Sequence, residues 1–109
     1  MTRSVLLVTH PRRPDVIDVV RRVADQLASA GIESVISEAD AAAFPGADLA
    51  DVQVVSDEDP SHGRELAIVL GGDGTILRGA EMTRESGVPL MGINLGKVGF
   101  LAEAEMGEL

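Results

Sequence analysis

The apolar run Leu66-Ala67-Ile68-Val69-Leu70 ends on Gly71-Gly72-Asp73-Gly74-Thr75, and a helix-forming stretch over 76–86 follows. A short run of Leu, Ile and Val with no alternation suits a strand buried on both faces. A buried strand that leaves through glycines and opens into a helix is half of a strand–helix–strand unit. It is also a ready anion site, because backbone N–H groups point out of the turn and the helix N-terminus adds partial positive charge. The glycines permit positive φ and close approach of a phosphate, and Thr75 can cap the helix. Asp73 fits a passive anion cradle poorly, since a carboxylate repels phosphate. Three roles are open to it: general base, Mg²⁺ ligand, or turn residue. The spacing is neither that of a Walker A loop, which needs a Lys, nor G-x-G-x-x-G.

The rest of the chain repeats the same alternation. Residues 4–9 form a second Val- and Leu-rich run, closed by His10-Pro11-Arg12-Arg13-Pro14. Val16, Val19, Val20, Val23 and Leu27 recur at helical spacing, predicting an amphipathic helix over 14–30 with Gly31 as its stop. Residues 32–37 alternate and read as a strand. A helical turn is predicted over 39–43, a short strand over 51–55 and a polar loop over 56–63. The 39–63 stretch as a whole reads as a solvated acidic surface. Gly87 ends the helix after the glycine loop, and residues 88–93 give a further strand with Pro89 near its start. Strands alternating with helices predict a parallel sheet with helices on its faces. Ligands of such sheets bind beyond the carboxyl ends of the strands. Residues 10–13, 71–75 and 94–100 are expected to meet at that edge.

Charge narrows the partners. The net charge of −9 is uneven: residues 1–30 carry +2, residues 31–65 carry −8 and residues 66–109 carry −3. An acidic chain argues against non-specific nucleic-acid binding, but a small phosphorylated ligand arriving with Mg²⁺ is held locally. The 109 residues suffice for one domain with one core. No apolar run reaches the length of a membrane helix, and no signal peptide is visible. The chain has no cysteine, so it has neither a disulfide framework nor a thiolate metal site. These features fit a cytoplasmic protein without a membrane partner.

Leu70-Gly71-Gly72-Asp73-Gly74-Thr75 resembles the GGDGT signature shared by NAD kinases, diacylglycerol and sphingosine-type lipid kinases, and phosphofructokinases. A second stretch, Gly92-Ile93-Asn94-Leu95-Gly96-Lys97-Val98-Gly99-Phe100-Leu101-Ala102, is similar to the G-(I/V)-N-x-G-x-x-G-F-L segment of NAD kinases. It argues against a lipid or sugar kinase. Arg78 matches a position that contacts the dinucleotide in bacterial members, and His10-Pro11-Arg12 resembles the family's first loop. The resemblance covers nearly the whole chain, the acidic 39–63 region matching least.

The resemblance implies an α/β domain, a Rossmann-like parallel sheet with helices on both faces. Residues 1–109 would be the N-terminal nucleotide-binding domain of a longer enzyme. The family's C-terminal β-domain, with its Asn-Glu or Asn-Asp pair for the adenosine ribose, is not in this sequence. The implied reaction moves the γ-phosphoryl of ATP, carried with Mg²⁺, to the 2′-hydroxyl of the adenosine ribose of NAD. Asp73 would be the base. Gly71, Gly72, Gly74 and Thr75 would meet phosphate, and Arg78, Asn94 and Phe100 would line the nucleotide site. No residue is assigned as a metal ligand. The 109 residues alone are expected to be inactive, which leaves open a non-catalytic nucleotide-binding module. The full-length relatives are expected to be homo-oligomers.

Overall fold

The computed structural model of the chain describes residues 3–10, 16–44, 49 and 51–94. The described elements run β1 (Arg3–Val8), α1 (Ile17–Ser29), β2 (Ile32–Ser37), α2 (Glu38–Ala41), β3 (Val52–Val55), β4 (Leu66–Gly71), α3 (Asp73–Thr83) and β5 (Leu90–Asn94). The five strands form one sheet in the order β3-β2-β1-β4-β5, and every neighbouring pair is parallel. From β1 the chain steps outward to β2 and β3, then returns to build β4 and β5 on the other side. The order therefore reverses between β1 and β4, where an open parallel sheet offers a ligand crevice.

The strands at this reversal are apolar because both of their faces are covered. Val5, Leu7, Ile36, Ile68 and Leu70 face a core that includes Val16, Val20 and Ala24 of the first helical segment, and Phe44. Leu6, Val8, Val35, Ala67 and Val69 face the opposite way, against Ile76 and Met82 of α3. The sheet is thus sandwiched between helices on both faces, as expected. Strand β2 is the informative departure. Its alternation suggests one wet face, yet Ser34, Val35, Ile36 and Ser37 are all buried. It lies between β1 and β3, so tertiary packing covers both of its sides.

Gly31 takes φ +79° just after α1, the left-handed stop that the sequence predicts. Helix α3 begins three residues earlier than the sequence suggests and ends at Thr83. It sits close on β4: a Cβ at Gly79 would come 2.5 Å from Val69 Cγ2. The link from β3 to β4 is the expected polar loop and contains no helix. It is tied down along its length. Asp57 Oδ1 accepts from Ala39 N at 3.0 Å, Ser61 Oγ donates to Met82 O at 3.1 Å, and Glu65 N donates to Ser4 O at 3.0 Å. Pro14, Arg12, Arg13, Lys97, Phe100 and the expected C-terminal helical start lie outside the described residues, as does the side chain of Asn94.

Candidate functional site

Gly71 is the last residue of β4 and Asp73 the first of α3, so a single residue turns the chain from strand to helix. Gly72 does this with φ −99° and ψ −164°, an extended conformation open to any residue. The positive-φ glycines among the described residues are Gly31, Gly63 and Gly87. The loop glycines, which could take positive φ, do not use it, and among them close packing selects Gly71. A Cβ on Gly71 would meet Thr75 Oγ1 at 2.5 Å and Thr75 Cβ at 2.8 Å. Thr75 is buried, in the first turn of the helix, and cannot readily yield. Gly71→Ala should cost about 1–3 kcal/mol of stability through overpacking, measured by urea unfolding. At Gly72 and Gly74 a Cβ would meet nothing among the described residues within 4 Å.

The role of Thr75 as a helix cap is also corrected. The cap position is Gly72, and no side chain caps the helix. Gly72 O accepts the first intrahelical bond, from Ile76 N at 3.0 Å. Thr75 falls inside the first turn because the helix starts directly at the glycines, and its hydroxyl packs toward Gly71. The first-turn N–H groups of an α-helix have no intrahelical partner. Here they stand at the carboxyl edge of the sheet beside Asp73, which is exposed. An acidic group in a first turn interacts favourably with the helix dipole, which accounts for Asp73 as a local stabiliser and leaves its carboxylate in solvent.

The parallel register sets Gly71 opposite Asn94. The two glycine-containing motifs therefore leave adjacent strands side by side. On the other side of β4, the end of β1 brings Thr9 and His10 to the same edge.

Arg78 is committed inside the fold more than its sequence position suggests. Its Nη1 donates to Thr9 O at 3.0 Å and lies 2.5 Å from Asp40 Oδ1. The arginine side chain is 32 % exposed and the aspartate fully buried. Asp40 Oδ2 accepts from Thr9 N at 3.0 Å. No aligned hydrogen bond reaches Oδ1, so its contact with Arg78 is a close charge pair. Burial pushes the Asp40 carboxyl above the usual carboxylate range, while the Thr9 N–H and the Arg78 charge pull it back down.

Asp40 is the residue that sequence reasoning missed, because it lies in a stretch read as a solvated acidic surface. One signal was available. Ser37-Glu38-Ala39-Asp40 has the spacing of a capping box. Ser37 Oγ does accept from Asp40 N at 3.3 Å, but the Asp40 side chain turns to Thr9. Beside this cluster, a groove of about 510 Å³ runs along α3, lined by Ser37, Ala39, Asp57, Arg78, Glu81 and Met82 among others. Residues 71–75 do not line it. Its mixed charges distinguish it from the open edge at the glycine loop. Among the described residues no group of three or more His, Cys, Asp or Glu could hold a metal ion, and no helix is long and apolar enough to cross a membrane.

Comparison with known proteins gives a consistent result. The family model described as ATP-NAD kinase N-terminal domain matches residues 5–109. The chain is 49 % identical over 109 residues to NAD kinase 2 of Streptomyces avermitilis, covering 98 % of the chain and 36 % of that protein. It is 47 % identical over 110 residues to the NAD kinase of Thermobifida fusca, covering 98 % of the chain and 34 % of that protein. The chain thus spans about a third of the length of these relatives. The crystal structure of yeast NADH kinase complexed with NADH matches with a TM-score of 0.69 at 20 % identity, over 98 % of the chain and 34 % of the yeast chain. That match supports the fold.

Proposed function

The chain belongs to the ATP-NAD kinase N-terminal domain family, and from that premise we propose that it supplies the phosphate-facing half of an NAD kinase site. In the full-length enzyme the γ-phosphoryl of ATP passes to the 2′-hydroxyl of the adenosine ribose of NAD, giving NADP. The observation that carries this reading is the open space at Gly72 and Gly74 on an uncapped helix start. Neither glycine is required by backbone conformation or by packing against a described residue. A phosphate group against those backbone N–H groups accounts for both.

Phosphoryl transfer asks a protein mainly for positioning and charge stabilisation, with one group to orient or deprotonate the nucleophile. Asp73 is that group on this reading. It leads the helix, it is exposed, and a base must come within about 2.6–3.2 Å of the hydroxyl it serves. Gly71 and Thr75 keep the turn closed. Arg78 offers the remaining face of its guanidinium to the dinucleotide, and Asn94 and Phe100 line the nucleotide from the second motif. Mg²⁺ would come with the ATP phosphates and would neutralise charge on the triphosphate. The full-length protein is a cytoplasmic homo-oligomer on the same reading, and the 109 residues alone do not turn over.

Gly74→Ala separates a binding role from a folding one. Alanine fits both the helical conformation and the space. Stability should therefore hold or rise by about 0.4–1 kcal/mol. The KM of a nucleotide substrate should rise about tenfold, the equivalent of roughly 1.4 kcal/mol. Unfolding curves and steady-state NADP formation, with NAD, ATP and Mg²⁺, check the two halves. Unchanged kinetics in the alanine variant would remove the support that the open space gives.

A further inference from the structure

Three elements meet at Thr9, one residue beyond the end of β1. Its N–H is taken by Asp40 Oδ2 at 3.0 Å and its carbonyl by Arg78 Nη1 at 3.0 Å. Asp40 and Arg78 then close the triangle at 2.5 Å. Thr9 and Asp40 are both 0 % exposed. Asp40 is itself held by α2, whose first turn is fixed by Ser37 and by Asp57. The clasp therefore joins the end of β1, the start of α2 and the second turn of α3, on the β1 side of the crevice.

We propose that Asp40 is a positioning residue for the glycine loop: through Arg78 it fixes α3, and with it Asp73, against the end of β1. This role for Asp40 rests on the kinase reading of that loop. Arg78 lies five residues beyond Asp73 on one short helix, about 7.5 Å along its axis at 1.5 Å per residue. A helix of that length moves as a unit, so whatever holds Arg78 also sets the height of Asp73 above the sheet. Sheet contacts through Gly79 and Ile76 are apolar and set the distance of the helix from β4. The Asp40–Arg78–Thr9 triangle is directional and sets its position along the strand axis. Reactive groups tolerate little error of this kind, and a misplacement of about 1 Å can cost on the order of 10²-fold in rate. A buried carboxylate is an expensive way to hold a helix that apolar contacts already cover, and the placement of the loop gives it a purpose.

The test has two arms. On the chain itself, amide exchange at Ile76, whose N–H bonds to Gly72 O, reports whether the loop is held. Asp40→Asn keeps the shape and an acceptor for Thr9 but removes the charge. It should speed exchange at Ile76 by about tenfold while Leu6, in the sheet centre, is unchanged. No change at Ile76 overturns the proposal. In the full-length kinase, at a temperature where circular dichroism shows every variant folded, Asp40→Asn should lower kcat by about 10–100-fold. Arg78→Lys, which loses the planar fork, should do likewise, and the double variant should be no worse than either single. A purely structural Asp40 would lower Tm and leave kcat and KM of the folded enzyme within twofold, and multiplicative losses would show that it does not act through Arg78. Either result overturns the proposal. If the wild-type enzyme makes no NADP, the kinase reading fails, and the exchange arm still decides whether Asp40 holds the loop.

Discussion

Asp73→Asn in the full-length kinase is expected to lower kcat by roughly 10²–10⁴-fold, the range for loss of a general base. The substitution is close to isosteric and sits at an exposed first-turn position, so the strand–glycine–helix turn survives it. Folding is therefore a clean control, and its Tm should stay within a few degrees of the parent. If Asp73 serves instead as a metal ligand, the loss should be partly recovered by raising Mg²⁺. A rate within a few-fold of the parent at saturating NAD, ATP and Mg²⁺ sinks the base assignment.

Arg78→Ala should produce the largest loss of stability of any single substitution considered for this chain. Removing one partner of a buried ion pair costs roughly 3–5 kcal/mol, because the other charge is left uncompensated. The asymmetry of this pair decides which partner matters more. Arg78 is one-third exposed and Asp40 fully buried, so loss of Asp40 leaves a cation that water reaches, whereas loss of Arg78 leaves a carboxylate that water does not. Protonation limits the damage. Carrying a carboxyl with an unfolded pKa near 3.9 into the fold as the neutral acid costs about 1.4 kcal/mol per pH unit, or about 4 kcal/mol at pH 7. The vacated arginine space admits some water and brings the expected loss to roughly 3 kcal/mol, the low end of the range for broken pairs.

The sign of the pH dependence follows from the same group. Burial already raises the Asp40 carboxyl in the parent, so the folded chain binds its proton more tightly than the unfolded chain. The stability linked to that proton is fully present below the unfolded value and is lost as pH rises through the folded value. Removing Arg78 raises the folded value further and widens the window. The gap between parent and Arg78→Ala should therefore be largest near pH 7 and shrink toward pH 5. Urea unfolding at pH 5, 6 and 7 measures it. A gap that is constant with pH would mean that Asp40 does not carry the effect.

What was legible in the sequence was what local chemistry decides. The runs that became β1 and β4 carry their own evidence of double burial, and the glycine loop announced both the turn and the helix after it. Gly31 stopped a helix for a reason visible in one residue. What was not legible depends on neighbours far along the chain. The alternation in β2 is real, but only its place between β1 and β3 says that both faces are covered. Thr75 looked like a cap because hydroxyls often are. The glycines start the helix earlier, and the close approach at Gly71 turns that hydroxyl inward. Asp40 was hidden most completely: in an acidic segment it is one carboxylate among several, and only the meeting of β1 and α3 buries it. The loop that carries the proposed chemistry was legible, and the clasp beside it was not.

The central place of β1 also governs how the domain is made. Its two neighbours come from distant parts of the chain: Val5 pairs with Ser34 on one side and with Leu66 on the other. A ribosome delivers the first pairing early, with only α1 between the strands. The second must wait until residues 66–71 emerge, and until then the central strand of the sheet, with its Val5-Leu6-Leu7-Val8 run, has a bare edge. Non-local parallel pairings close slowly, and unpaired strand edges favour aggregation while they wait. The polar, acidic stretch between β3 and β4 bridges that interval, and its carboxylates at Asp57, Glu58, Asp59 and Glu65 are the kind of charge that opposes aggregation of a half-built sheet.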